Sequence, residues 1–319
     1  MTPLDPIFSD RIADVPRSFI REILKVTLDP TVISFAGGLP NRALFPVEAI
    51  KAAACAVLDT EGRDVLQYGS SEGHPGLREY ISERYRQKAG LDIPVDSILI
   101  TSGSQQGLDL LGKVLLNDGD ALVIEEPGYL GAIQALSLYR PRFLPVPLLQ
   151  DGLDPDGLRA ALAHDRPKCL YAVPNFQNPS GISYSEDNRR EVAGILSGTG
   201  VFLIEDDPYG ELRFAGSDMP SFKSLLPDNT ILLGTFSKTL VPGFRLGWIV
   251  APPALMQKLV TAKQATDLHT THFTQSIVCR YVRDNDPDEH IRLIREVYGR
   301  QCRAMQESVR RHFPPDVAC

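Results

Sequence analysis

From about residue 98 onward the chain alternates short, nearly continuous apolar runs with longer stretches whose apolar residues recur every three or four positions. The runs at 98–101, 121–126, 143–147, 169–174, 201–206, 230–235 and 246–251 predict strands. They are rich in β-branched residues and nearly continuous in hydrophobicity, as in strands covered on both faces. Between them, residues 105–116, 129–138, 155–164 and 185–197 carry helical periodicity. Strand and helix in alternation predict an α/β fold, a three-layer sandwich with a mostly parallel sheet between helices.

Both ends of the chain read differently. Residues 18–26 predict a helix and 32–35 a short strand, followed by the loop Ala36-Gly37-Gly38-Leu39-Pro40. Residues 47–58 and 76–88 predict helices, and past Pro252 the pattern turns helical again at 254–268, 274–284 and 287–312.

With 43% hydrophobic and 23% charged residues, the 319-residue chain has enough apolar material for a large core. A net charge of −7 offers no basic face to nucleic acid, although a local basic pocket for an anion remains compatible with it. No apolar run is long enough to cross a bilayer, and the start lacks the basic-then-apolar pattern of a secretory leader. A cytoplasmic protein without membrane contact is expected. Cys55, Cys169, Cys279, Cys302 and Cys319 are scattered without CxxC spacing, which predicts neither a disulfide framework nor a zinc site.

Ligands of open α/β sheets bind beyond the carboxyl ends of the strands, and the chemistry-bearing residues fall there repeatedly. Lys238 closes the segment Gly234-Thr235-Phe236-Ser237-Lys238 after the sixth strand. A lysine becomes a base or nucleophile near neutral pH when burial or nearby positive charge lowers its pKa. Taken alone, it reads equally as a surface lysine in a loop. Arg245 can grip a phosphate through paired hydrogen bonds, with hydroxyls from Ser237 and Thr235 beside it, yet singly it is an ordinary surface residue.

The segment Thr101-Ser102-Gly103-Ser104-Gln105-Gln106-Gly107 runs from a strand end into a helix start. Unpaired N–H groups and the helix dipole there suit an anion, or merely cap the helix. Asp206 and Tyr209 end the fifth strand in an Asp-x-x-Tyr pair. A carboxylate there can hold a pyridinium nitrogen protonated, and the phenol can reach an oxygen on the same ring. Each alone is also a helix cap or a packed aromatic. Asn178 sits in the turn Asn175-Phe176-Gln177-Asn178-Pro179-Ser180-Gly181; preceding proline, it is extended, with its amide free to face a ligand. Tyr129 suits stacking on a planar ring as well as core packing.

In this order the six elements resemble the fold-type I pyridoxal-phosphate enzymes, specifically the class I/II aminotransferases, over roughly residues 17 to 310. The resemblance implies that Lys238 carries pyridoxal phosphate as a Schiff base and shuttles the proton of the 1,3-transfer. It implies Asp206 on the pyridine nitrogen, Asn178 and Tyr209 on the 3-oxygen, and Tyr129 stacked on the ring. Ser104, Gln105, Ser237 and Arg245 would bind the phosphate. Tyr68 would reach the phosphate of a neighbouring subunit, which implies a homodimer with shared active sites. It further implies an N-terminal arm at 1–45, a cofactor-binding large domain at 46–285, and at 286–319 the start of an incomplete small domain.

Within the family, Phe19-Ile20-Arg21-Glu22-Ile23-Leu24, Ser34-Phe35-Ala36-Gly37-Gly38-Leu39-Pro40 and Gln67-Tyr68-Gly69 are similar to the 2-aminoadipate and kynurenine-like subgroup. There, an arginine at the position of Arg21 can hold a side-chain carboxylate, with Gly38 and Asn178 beside the substrate; Arg21 also fits a solvated position on an amphipathic helix. Such enzymes continue past the long helix to an arginine that binds the substrate α-carboxylate, whereas this chain stops at Cys319. A fragment or a truncated cofactor-binding protein with little turnover is therefore one expectation. Transfer of an amino group from an amino acid to a 2-oxo acid is the leading one. A decarboxylase, lyase or racemase could use the same cofactor site. A cofactor-binding transcription regulator would need a DNA-binding segment ahead of this domain and a less acidic chain.

Overall fold

The computed structural model describes residues 7–13, 15, 29, 31–33 and 38–314. The helix expected at 18–26, Arg21 with it, and half of the strand expected at 32–35 lie outside the described residues. Val32 and Ile33 are described, and they are exposed and not in a strand.

In chain order the elements are α1 (Asp10–Ala13), α2 (Val47–Glu61), α3 (Pro75–Ala89), β1 (Ile98–Thr101), α4 (Ser104–Leu115), β2 (Ala121–Glu126), α5 (Leu130–Ser137), β3 (Arg142–Leu149), β4 (Gly152–Leu153), α6 (Pro155–His164), β5 (Cys169–Ala172), α7 (Glu186–Leu196), β6 (Phe202–Asp206), α8 (Phe222–Leu225), β7 (Thr230–Thr235), β8 (Gly247–Val250), α9 (Pro253–Asp267), α10 (His272–Asp284) and α11 (Pro287–His312). Among the described residues, no helix is long and apolar enough to cross a membrane. The helix starts follow their sequences. Pro75 opens α3 behind His74, whose Nδ1 accepts from Leu77 N–H, and Gly90 ends it in the left-handed conformation. Asp154, Ser185 and Asp286 cap α6, α7 and α11 through their side-chain oxygens.

The sheet runs β1-β8-β7-β6-β5-β2-β3-β4. Strands β7, β6, β5, β2 and β3 are parallel, β8 is antiparallel to both its neighbours, and β4 folds back on β3 as a hairpin. All seven strands predicted from residue 98 onward form. The hairpin strand β4 is too short to leave a pattern. Strand β5 stops at Ala172, because Val173 N–H donates to the Glu125 carboxylate at 2.9 Å.

Continuous hydrophobicity has the consequence expected of it: β1 and β7 are buried at every position. Ile231 and Leu233 face the core under α4, α5 and α9, while Leu232 faces the opposite core under α3 and α10. Leu170 and Leu203 continue that second face beneath α6 and α7. Burying each such side chain stabilises the fold by about 1.5–3 kcal/mol.

Two glycines set the spacing around β8. A Cβ on Gly234 would lie 2.2 Å from the Trp248 indole, and one on Gly247 would lie 2.7 Å from the Ser104 nitrogen. Gly234→Ala is therefore expected to destabilise the protein by about 1–3 kcal/mol through overpacking. Urea unfolding followed through Trp248, the single tryptophan, measures the loss directly. An unchanged midpoint would show that the indole moves aside freely.

Candidate active site

Because β8 runs against its neighbours, its beginning lies where β1 and β7 end. Gly247 is paired with Thr101 on one side and with Thr235 on the other. The turns that follow β1 and β7, and the residue before β8, thus meet at one edge. Arg245 adopts the left-handed conformation (φ 53°, ψ 49°) after the short helical turn Pro242–Phe244. That conformation costs a non-glycine residue about 1–2 kcal/mol. It lays the guanidinium against Gly103, where a Cβ would come within 2.5 Å of Nη2, and Nη2 donates to the Ser102 carbonyl at 3.4 Å.

The first turn of α4, at Ser104 and Gln105, leaves N–H groups without intrahelical acceptors, and the helix dipole adds partial positive charge. With the exposed Arg245 alongside, this corner suits a phosphate. The Gln105 side chain is engaged elsewhere, donating to the Gly131 carbonyl at 2.8 Å and tying the turn to α5. Ser237 is buried and adjoins the same corner. Thr235, expected to offer its hydroxyl to the anion, does not: that hydroxyl donates to the Leu246 carbonyl at 3.0 Å and accepts from Ser237 N–H at 3.0 Å. It fastens β7 to β8 instead.

A second corner is acidic. Asp206 ends β6 and is 3% exposed. Its Oδ2 accepts from the Tyr171 hydroxyl at 2.7 Å, while its Oδ1 is buried and has no partner among the described residues. Burial pushes its pKa up to about 7; the Tyr171 hydrogen bond opposes that rise, and the charges of Asp207 and Glu125 add to it. An unpartnered buried carboxylate oxygen calls for a donor, and a cationic N–H donor best of all.

Between the corners stand Lys238, Tyr209, Tyr129 and Asn178. The Lys238 amine lies 5.9 Å from the centre of the Tyr209 ring. Burial lowers its pKa, and the positive charge of Arg245 lowers it further, as a catalytic amine requires. Asn178 adjoins the Tyr209 hydroxyl, whose pKa is raised by burial. Tyr129 has its phenol pushed up to about 12 by burial, and it also feels Asp206, Tyr209 and Arg245, so these side chains share one space. Its ring lies across Gly131, where a Cβ would be 2.5 Å from Cζ.

Two further expected site residues are exposed. Tyr68 is 79% exposed, with its ring edge-on to His269 at 5.8 Å. Gly38 is exposed, with a positive φ of 52°.

Supporting residues went unrecognised in the sequence. Tyr171 is one, a phenol inside an apolar strand that needs a buried partner for its hydroxyl. Glu125 is another: it accepts from Tyr184 Oη (2.7 Å), Val173 N–H (2.9 Å) and Gln177 Nε2 (3.0 Å), and so holds the turn that carries Asn178. Gln177 also donates to the Pro127 carbonyl at 2.8 Å, joining that turn to the approach to Tyr129. A cavity of about 390 Å³ is lined in part by Glu205, Asp207, Thr235 and Phe236. Neither Asp206 nor Lys238 lines it.

The donors fit one kind of group: a phosphate at the first corner, a protonated ring nitrogen at Asp206 Oδ1, and a carbonyl carbon near the Lys238 amine. Pyridoxal phosphate has all three. The family profile "Aminotransferase class I and II" matches residues 32–312. The chain belongs to the class I and II aminotransferases.

Within that family it is 40% identical over 316 residues to aromatic-amino-acid aminotransferase 1 of Thermococcus litoralis, covering 97% of this chain and 76% of that protein. To 2-aminoadipate transaminase of Thermus thermophilus it is 40% identical over 307 residues, covering 95% and 76%. It superimposes on the kynurenine aminotransferase of Pyrococcus horikoshii with a TM-score of 0.94 and 39% identity, over 99% of this chain and 80% of that one. The fold is that of these aminotransferases, the reaction is amino-group transfer, and pyridoxal phosphate is the cofactor.

Asp206 makes the cofactor-free protein sensitive to pH. Its folded pKa of about 7 lies above the ordinary 3.8, so the stability it contributes is present below 3.8 and is lost as pH rises through about 7. Asp206→Asn should reduce the slope of unfolding free energy against pH in that window by up to one proton, about 1.4 kcal/mol per pH unit. Glu205, also pushed up to about 7, keeps part of the slope. Urea titrations of the cofactor-free proteins across this range measure it, and equal slopes would refute the assignment.

Proposed function

We propose that this aminotransferase uses Lys238 to carry the cofactor and to move the reacting proton, and that the other residues divide into three sets. Asp206 pairs through Oδ1 with the cofactor's ring nitrogen, held there by Tyr171. Tyr209 and Asn178 take the ring's 3-oxygen, and Tyr129 covers the ring. The N–H groups of Ser104 and Gln105, with Ser237 and Arg245, take the phosphate. The observation that carries this reading is the free, buried Oδ1 of Asp206 at one end of a site whose other end is an N–H and guanidinium corner, with an amine of lowered pKa between them.

When bound, the cofactor supplies a cationic ring that delocalises the electron pair left on the substrate Cα after its proton is removed. The chain does the rest. Unprotonated, Lys238 Nζ can take that proton, and burial, with the positive charge of Arg245, lowers its pKa in that direction. Anionic Asp206 keeps the ring nitrogen protonated, and the Tyr171 hydrogen bond stabilises that anion.

The relatives support donors whose side chains are aromatic, branched or carry a second carboxylate, with 2-aminoadipate, glutamate, kynurenine, leucine and aromatic amino acids as candidates and a 2-oxo acid as acceptor. Arg21, Gly38 and Asn178 are the proposed substrate contacts. Residues 46–285 are read as the cofactor-binding domain, and 1–45 with 286–319 as parts of a second domain. Supporting that division, α11 packs through Ile291 and Ile294 and is mostly exposed from Arg300 onward. The protein is also read as a homodimer with shared sites, since Leu66, Tyr68 and Leu268 present exposed apolar surface beside His269.

Lys238→Ala is expected to lower amino transfer to 2-oxoglutarate by about 10³-fold across a panel of these donors. Borohydride reduction of the loaded protein, followed by peptide mapping, should place the pyridoxyl group on Lys238; a label on another lysine would overturn the assignment. Mixing Lys238→Ala subunits with Tyr68→Ala subunits tests the shared site. One of the two hybrid sites is intact, so activity should rise above that of either variant alone, and no rise would argue for self-contained sites.

A further inference from the structure

Lys263, on α9, is fully buried, and none of the roles above uses it. Its ammonium has an acceptor for each of its three donors: Gln106 Oε1 at 2.6 Å, the Asp267 carboxylate at 2.8 Å and Thr270 Oγ1 at 2.8 Å. Each partner reaches onward to the main chain around Thr101 or to another partner. Gln106 Oε1 also accepts from Ser102 N–H at 2.7 Å, and Gln106 Nε2 donates to Asp267 Oδ2 at 2.7 Å. Thr270 Oγ1 donates to the Ile100 carbonyl at 3.3 Å, and Ser102 Oγ lies 3.4 Å from Asp267 Oδ2. The peptide groups on either side of Thr101 are therefore fixed from beneath by one buried cation.

Those peptides lead directly into the phosphate corner. The Ser102 carbonyl receives Arg245, Gly103 is in contact with the guanidinium, and Ser104 begins α4. The same cluster ends at Thr270, next to His269, whose Nε2 accepts from Gly69 N–H at 3.3 Å beside the exposed Tyr68. An apolar side chain of Lys263's length would pack α9 on α4 without desolvating a charge. What the ammonium adds is a fixed geometry for three acceptors.

We propose that Lys263 is a positioning residue for the cofactor phosphate. Acting through Gln106, it sets the Ser102 peptide, and with it the angle at which the α4 N–H groups and Arg245 meet the anion. It touches neither cofactor nor substrate. The inference rests on the reading of Ser104, Gln105 and Arg245 as phosphate ligands.

The test compares binding of pyridoxal phosphate with binding of pyridoxal, which lacks the phosphate, in the wild type, Lys263→Met and Gln106→Met. In the wild type, a preference for the phosphorylated form tests the underlying reading; equal affinities would refute that reading whatever the variants do. Given the preference, Lys263→Met should weaken pyridoxal phosphate by at least about tenfold while leaving pyridoxal within about twofold. It should also shift the ³¹P resonance of the bound cofactor. Gln106→Met, at a half-exposed position, should reproduce the phosphate-selective loss in a smaller degree, and it decides the matter if Lys263→Met does not fold. Equal weakening of both ligands would mark Lys263 as merely structural, and unchanged affinities in both variants would remove it from the site; either result overturns the proposal.

Discussion

The reversal of one strand organises this site. In a parallel sheet the residue before a strand lies at the amino edge, away from where ligands bind. Because β8 enters between β1 and β7 in the opposite sense, Arg245 arrives at their carboxyl edge. The register is tight: Gly247 stands between Thr101 and Thr235, and no side chain fits there because the start of α4 is in contact. The strained left-handed Arg245 then follows from its surroundings, since the neighbouring backbone fixes both where the turn ends and where its guanidinium can lie. Shifting the β8 register by one residue would exchange its two faces and separate the arginine from Gly103.

The parallel strands contribute a different constraint, buried negative charge. Glu125, Glu205 and Asp206 are each nearly inaccessible and have raised pKa values, chiefly through burial. Two of them are matched by donors from the fold. Glu125 takes Tyr184, Gln177 and Val173, and Glu205 takes the Ser221 hydroxyl at 2.6 Å, with the fully buried Arg189 at 3.9 Å. Asp206 alone keeps a buried oxygen without a donor among the described residues. Such a group is costly to retain in the folded chain, and the cost is relieved when a ligand brings the missing donor. On the proposed pairing, cofactor binding and fold stability would be linked through this one atom.

Much of this was legible in the sequence, for identifiable reasons. Strands buried on both faces are continuously apolar, so all seven longer strands could be read, and the residues following them were the right places to look for chemistry. Lys238, Asp206 and Tyr209 were singled out in that way. The sense of β8 was not legible, because strand direction leaves no mark on local hydrophobicity; Arg245 was singled out by its guanidinium chemistry and by the family resemblance, and not through its position before a strand. Thr235 was misjudged because a hydroxyl near a site looks the same in sequence whether it faces a ligand or a neighbouring carbonyl. The supporting layer of Tyr171, Glu125, Gln177 and Lys263 was missed for a related cause. Each acts through partners distant in sequence, as Gln106 and Lys263 do from 157 positions apart.

Lys238 and Lys263 show how one residue type can be set to opposite tasks within one edge of a sheet. Burial lowers the pKa of both. Around Lys263 three acceptors, one of them a carboxylate, oppose that effect and hold the amine as a cation in a fixed place. Around Lys238 burial is joined by the positive charge of Arg245, of like sign, which also favours loss of its proton, and the amine faces the Tyr209 ring. A lysine that must exchange protons has to be left short of acceptors, and a lysine that must hold a turn has to be supplied with them. On the proposed reading, the phosphate site needs both conditions side by side, the paired cluster beneath the turn and the unprotonated amine at its open side.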